Sequence, residues 1–395
     1  MSTLIASPPV TDPRADSGAR MRVVAWGAGI ATFTLLYAPQ GVLTQIAVDF
    51  GLASSNASWV VAAATFGLAA SVIPWALLSD RIGRHRALQI ALLLAAALAV
   101  AGPLLPGFAG LIVGRVLLGA ALGGIPALAI TYLHEAAAPQ RSAALAAAYV
   151  AATTTGGLIG RLAVTPLAEA FGWRMSLLVV GSVAAVLCGS LALLLPRTPI
   201  RREPLARSIR LLARQSRSTT AWPLYAIGAL AIGVLVAVYN SVVFRLEAAP
   251  YELAPGVVSL VFLCYLGGSL ASRLSSAASR AMGPRWTFAV AGAAIAAGIA
   301  VTLLGALWFV VAGIALLTMG VSLAHATASG TVPRVAGEGR QHAVALYSVV
   351  YYVGASVFGV LGASAFAIGG WPALAIGVGA VAVCITALGS LAARN

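Results

Sequence analysis

Residues 58–86 read SWVVAAATFGLAASVIPWALLSDRIGRHR, and this stretch decides the fold class. Residues 58–78 carry no charged side chain. A helix needs about 20 such residues to cross the hydrocarbon of a bilayer. The run then stops at Asp80-Arg81-Ile82-Gly83-Arg84-His85-Arg86, where most side chains are ionisable and Gly83 permits a tight turn. A new apolar run begins at Ala87. The pattern is a span, a short charged turn and a span back.

The same window applied outward finds apolar segments at 23–47, 58–78, 87–105, 110–133, 142–164 and 173–195. A second set follows at 222–244, 254–274, 286–305, 307–329, 342–366 and 371–392. The expectation is an all-α membrane protein of twelve transmembrane helices in two pseudo-symmetric six-helix bundles. Composition agrees: of 395 residues 61% are hydrophobic and 9% charged, with mean hydropathy +0.97. A soluble domain carries about 25% charged residues, so most of this surface must face lipid.

The net charge of +14 comes from arginine, since the chain has no lysine. These arginines sit in short runs between apolar segments, which points to loop topology and away from nucleic acid. With both termini cytoplasmic, 20 of the 24 arginines fall on the cytoplasmic side. Only Arg115, Arg161, Arg174 and Arg245 lie elsewhere. The chain is therefore read as multi-pass in a bacterial cytoplasmic membrane, with both ends inside.

Four regions follow. Residues 1–22, rich in proline and charge, read as a disordered cytoplasmic tail, with no cleavable signal peptide. Residues 23–196 and 221–395 form the two bundles. Residues 197–220, with seven arginines, form a cytoplasmic basic linker, either a solvated loop that fixes topology or a segment lying on anionic headgroups. A weak repeat supports the halving: Arg81 and Arg86 align with Arg280 and Arg285 at an offset of 199, as do Arg141 with Arg340 and Gly160 with Gly359. Cys188, Cys264 and Cys384 lie in apolar segments and suit neither disulfides nor a metal.

The loop Asp80–Arg86 resembles the signature loop of the major facilitator superfamily. In that family the loop locks and releases the cytoplasmic contact between halves, which implies a gating role for Asp80, Arg81, Gly83, Arg84 and Arg86. The family usually places a glycine four residues before the aspartate, and here Ala76 stands there. Arg115-Val116-Leu117-Leu118-Gly119 resembles the superfamily's intramembrane Arg-x-x-x-Gly motif, associated with proton-coupled members. Gly156-Gly157-Leu158-Ile159-Gly160-Arg161 matches in part the Gly-Pro-x-x-Gly-Gly run of its drug antiporters. Gly157 occupies the proline position and Arg161 that of the last glycine.

The wider chain is similar to one bacterial inner-membrane branch, through Thr32-Phe33, Leu36-Tyr37, Gln40, Tyr132, Glu135, His325, Tyr347 and Tyr351-Tyr352.

An intramembrane arginine costs about 2.5–3.5 kcal/mol on insertion scales and must find a partner, a cavity or the interface. Arg115, Arg161 and His325 are thus the intramembrane charge and proton-coupling candidates; His325 is either a proton carrier or a satisfied histidine. All ten acids map to loops, helix ends or the tail. An arginine in the cavity with no acid opposite disfavours cations, so neutral or anionic amphipathic solutes are favoured. Tyr37, Gln40, Tyr239, Asn240, Tyr351 and Tyr352 are either cavity-lining or core. Gly119, Gly156, Gly157 and Gly160 let helices approach closely.

Together these features imply a secondary transporter, working as a monomer without a cofactor, with a small molecule and protons as its partners. Efflux as a proton antiporter leads, and proton-coupled uptake is the rival. The chain shows neither a catalytic constellation nor a nucleotide-binding loop, which argues against an enzyme and against ATP. A non-transporting sensor or scaffold is the alternative of another class, and a releasable latch argues against it.

Overall fold

A computed structural model describes residues 13–136, 139–197 and 205–393. Among them every regular element is a helix. Residues 1–12, the start of the expected tail, and 198–204 of the expected linker lie outside the described residues.

The first helix, α1 (Pro13–Tyr37), starts ten residues before the expected span. The expected tail is thus corrected over 13–22, which is helical. Pro13 suits a first helical turn because its missing amide has no partner to lose there, and further on Met21 and Val24 are buried. A short 3-10 stretch at Ala38–Val42 separates α1 from α2 (Leu43–Phe50). Pro39 causes the break: it has no amide to give the carbonyl of Leu35, four residues back.

A single turn, α3 (Ser54–Ala57), leads into α4 (Trp59–Ile82). There follow α5 (Arg84–Ala101), α6 (Gly107–Leu122), α7 (Gly124–Ala136), α8 (Pro139–Phe171) and α9 (Trp173–Leu194). Beyond α10 (Leu205–Ser216) come α11 (Trp222–Glu247), a turn α12 (Pro255–Ser259), α13 (Tyr265–Val301), α14 (Leu307–Val335) and α15 (Arg340–Ala392).

Nine helical segments of the described residues are long and apolar enough to cross a bilayer. Two of them, Pro255–Leu304 with 50 residues and Arg340–Ala392 with 53, exceed twice what one crossing needs. Each is interrupted by glycine at non-helical angles, Gly283 (φ 81, ψ 158) in one and Gly370 (φ 65, ψ −162) in the other. Positive φ is open to glycine without a Cβ clash. The turns at Gly83 (φ 89, ψ 146) and Gly172 (φ 80, ψ 159) adopt nearly the same conformations about half a chain earlier. The repeat is therefore written in backbone angles more clearly than in side chains.

Helices α1 to α9 pack mainly on one another, as do α11 to α15, and the groups meet along a seam. There α4 lies along α15, with Ser356 Oγ donating to the Ala62 carbonyl at 2.9 Å. Residues 205–216 correct the solvated-loop reading, because they form α10. Ser208, Leu211 and Gln215 are buried along one face at helical spacing, while Arg207, Arg210 and Arg214 stay exposed. Period-3.6 burial of this kind defines an amphipathic helix docked on protein. Gln215 Nε2 fastens it by donating to the carbonyls of Ala336 at 3.0 Å and Glu338 at 3.1 Å.

Candidate functional site

The break in the first span exposes backbone carbonyls at membrane depth, and Arg115 fills them. Its guanidinium donates to Leu35 O at 2.8 Å, to Val60 O at 3.0 Å and to Leu36 O. The side chain is 6% exposed, so it does not snorkel, and it borders only a small apolar recess of about 30 Å³. Arg115 holds the bend that carries Tyr37 and Gln40.

Those two residues meet Arg161 of α8 at the seam. Arg161 is 2% exposed, and its Nε donates to Gln40 Oε1 at 2.7 Å. Nη1 donates to the Gly157 carbonyl at 2.8 Å and Nη2 to the Tyr265 hydroxyl at 3.2 Å. Tyr37 and Tyr265 face the guanidinium carbon at 4.3 and 4.6 Å from their ring centroids, and Phe262 at 5.3 Å. Among the described residues no carboxylate forms an ion pair with it. The charge is held by dipoles and aromatic faces instead.

Gln40 continues the chain across the seam, where its Nε2 donates to Asn240 Oδ1 at 2.6 Å. The direction of this relay is forced. Arg161 can only donate, so the Gln40 oxygen must face it and the Gln40 amide nitrogen must face Asn240. Asn240 in turn presents its oxygen to Gln40. That leaves Asn240 Nδ2 as a buried donor without an acceptor. Tyr239 backs the cage by packing on Tyr265 and Phe262 at 4.6 and 5.5 Å, with its hydroxyl on Thr318 at 3.0 Å.

His325 belongs to a second cluster. Its Nδ1 lies 2.8 Å from the Tyr347 hydroxyl, and its ring is 4.6 Å from that of Tyr351. Tyr351 in turn meets Tyr352 edge-on at 5.1 Å. Of the six proposed cavity residues, Tyr37 and Gln40 contact Arg161, Tyr239 and Asn240 reach it through Tyr265 and Gln40, Tyr351 packs on His325, and Tyr352 packs on Tyr351.

The arginine-rich end of the seam holds a cavity of about 430 Å³ between α4, α7, α10 and α15, with Asp80, Arg84, His134, Ser208, Arg340 and His342 in its wall. Arg84 is ion-paired with Glu135 of α7, which ties the charged turn to its own helix group. Asp80 Oδ2 accepts from Ser208 Oγ of α10 at 3.3 Å. Arg81 and Arg86 are exposed. At the opposite end two contacts close the seam: the Gly256 amide donates to Glu169 Oε1 at 2.7 Å, and Thr44 Oγ1 to Glu247 Oε1 at 3.1 Å.

The other two arginines remote from the basic end also rest on carbonyls and rings, although Arg245 Nη1 is buried without a hydrogen-bond partner. Arg174 donates to Pro103 O at 3.3 Å and stacks on Trp173 at 4.4 Å. Arg245 donates to Thr302 O at 3.0 Å and stacks on Trp371 at 4.4 Å.

Of the glycines, Gly119, Gly156 and Gly160 sit against backbone. A Cβ would fall 2.0 Å from Ala64 O, 2.4 Å from Ile30 O and 2.6 Å from Thr34 O, respectively. Gly157 differs and corrects the packing assignment. Its Cβ would meet Arg161 Nη1 at 3.0 Å and no neighbouring helix backbone, so it leaves room for the guanidinium.

Sequence reasoning missed Tyr265 and Phe262. Each contributes through tertiary approach, and no local motif marks it.

Residues 25–278 match the family model of the Major Facilitator Superfamily. The match spans more than half of the chain, which therefore belongs to this superfamily and is a multi-pass membrane transporter.

The chain is 29% identical to the uncharacterized MFS-type transporter YybF of Bacillus subtilis (strain 168) over 340 residues, 85% of this chain and 84% of that one. It is 30% identical to the inner membrane transport protein YnfM of Escherichia coli (strain K12) over 259 residues, 64% of this chain and 61% of that one. The fold resembles the crystal structure of a bacterial homologue of the human lysosomal transporter Spinster, described as inward-facing and unoccupied. The TM-score is 0.75 at 14% identity, over 97% of this chain and 98% of that one. A D-xylose-proton symporter gives a TM-score of 0.71 at 16% identity, over 95% and 96%.

Proposed function

We propose that this protein is a secondary active exporter of neutral or anionic amphipathic compounds that exchanges them for protons by alternating access. It works as a monomer in a bacterial cytoplasmic membrane, with both termini cytoplasmic. Its twelve crossings form two six-helix bundles, 23–196 and 221–395, that rock about the seam.

The observation that carries the reading is Arg161, a buried cation at the seam with no carboxylate partner among the described residues. Its field disfavours cationic solutes and favours electron-rich ones. Directionality draws support from the cavity at the arginine-rich end, where a cytoplasmic solute enters, while at the far end Glu169 and Glu247 bridge the two helix groups at the edge of an open recess. Asp80 acts as the latch at the near end, with the arginines of its turn anchoring the loop. His325, bonded to Tyr347, is the proton carrier in this reading.

Proteoliposomes with an imposed pH gradient test the proposal with a panel of labelled neutral, anionic and cationic amphiphiles. Flux of neutral or anionic members should collapse on adding an uncoupler. Flux indifferent to the gradient removes proton exchange, and flux of cations alone removes the selectivity.

A further inference from the structure

The guanidinium of Arg161 is a planar fork, and its Nε and Nη2 groups form one edge of it. That edge is the pair of donors that binds a carboxylate bidentately. Here it is already filled by two neutral oxygens, one from each side of the seam. Gln40 Oε1, from the first helix group, lies 2.7 Å from Nε, and the Tyr265 hydroxyl, from the second, lies 3.2 Å from Nη2. The remaining nitrogen, Nη1, faces the Gly157 carbonyl of its own helix. Two separate neutral acceptors thus occupy the places of the two oxygens of one carboxylate.

Gln40 also acts through its amide nitrogen, which holds Asn240 across the seam. As a result, one side chain both satisfies the cation and tethers the two helix groups. A ligand that takes the fork edge must displace the Gln40 oxygen, and the amide orientation that served Asn240 is then no longer fixed by Arg161. Asn240 meanwhile keeps an unpartnered buried donor, Nδ2, ready for a further acceptor. The Tyr37, Tyr265 and Phe262 rings around the fork suit an apolar or aromatic body attached to that acid.

We propose that Arg161 is the recognition site for the carboxylate of an amphipathic acid, and that the acid displaces Gln40 and thereby releases the tether to Asn240. The inference rests on the transport reading above and adds to it the substrate class and the way in which binding loosens the seam.

Benzoate is the probe, with benzamide and benzylammonium as controls, on the full chain in lipid nanodiscs. Binding is read by calorimetry. Seam opening is read as the alkylation rate of Ala47→Cys in a background lacking the native cysteines, because Ala47 is only 5% exposed and lies beside the Thr44–Glu247 contact in the wall of the recess at that end. Benzoate should bind and speed alkylation, and the two controls should do neither. Gln40→Leu should raise benzoate affinity about tenfold, the worth of one charge-assisted hydrogen bond removed from competition. Asn240→Leu cuts the tether from the other side, so it should speed alkylation without ligand and, by linkage, raise benzoate affinity, because the acid no longer has to break the tether.

Weaker benzoate binding in Gln40→Leu would make Gln40 a ligand and overturn displacement. Binding that leaves the alkylation rate unchanged would overturn the tether. If the proteoliposome panel shows flux but benzoate does not bind, the acid site falls and the transport reading stands. If the panel shows no flux, the transport reading itself falls.

Discussion

The carboxylate of Glu169 accepts the backbone amide of Gly256 at 2.7 Å, joining the end of α8 to the start of α12 across the seam. With Thr44 on Glu247, it forms a closure remote from the arginine-rich end.

Glu169 is exposed, so this bond is worth only about 0.5–1.5 kcal/mol. Glu169→Ala should therefore raise the alkylation rate of a cysteine at Ala47 a few-fold, roughly the factor that 1 kcal/mol gives, without lowering the melting temperature. An unchanged rate would remove this contact from the closure.

Arg115 should prove structural. Three carbonyls depend on it, and interhelical bonds in membranes are worth about 1 kcal/mol each, so Arg115→Leu should cost roughly 2–4 kcal/mol and lower the melting temperature in detergent. Arg115→Lys should rescue little, since an ammonium cannot reach three divergent carbonyls as a fork does. Full rescue by lysine would favour a charge role over a geometric one.

Two glycines separate packing from function. Gly119→Ala sets a methyl 2.0 Å from Ala64 O and should reduce folded yield. Gly157→Ala meets a movable guanidinium at 3.0 Å and the Tyr37 ring at an ordinary 3.8 Å, so folded yield should hold while flux falls severalfold. Equal loss of yield in both would contradict the distinction.

Asp80→Asn should impair flux with folded protein retained, because the carboxylate faces both the cavity and Ser208 of α10. Ser208→Ala, which removes one partner, should give a smaller defect. Wild-type flux in Asp80→Asn would defeat the latch assignment.

Much of the fold was legible because lipid imposes a single rule, long uncharged runs between short charged turns. That rule located Gly83 and put segment breaks at 275–285 and 367–370, where Gly283 and Gly370 turn the chain. It failed at α10, where Arg207, Arg210 and Arg214 masked the helical spacing of Ser208, Leu211 and Gln215. The site was half legible. Arg161 and Gln40 stood out as polar groups in apolar spans, but Tyr265 and Phe262 looked like ordinary core aromatics. Asn240 stood out in the same way within the span 222–244, but its pairing with Gln40, 200 positions away, did not. The role of Arg115 needed both the proline break and the fold that brings α6 to it.

The account turns on a seam whose two ends open in alternation. Distances between spin labels measure this directly, with one pair at Arg86→Cys and Arg285→Cys and another at Val48→Cys and Val257→Cys, all exposed positions. As pH and benzoate are varied in nanodiscs, one distance should lengthen whenever the other shortens. Two distances that stay fixed, or that lengthen together, would contradict the account.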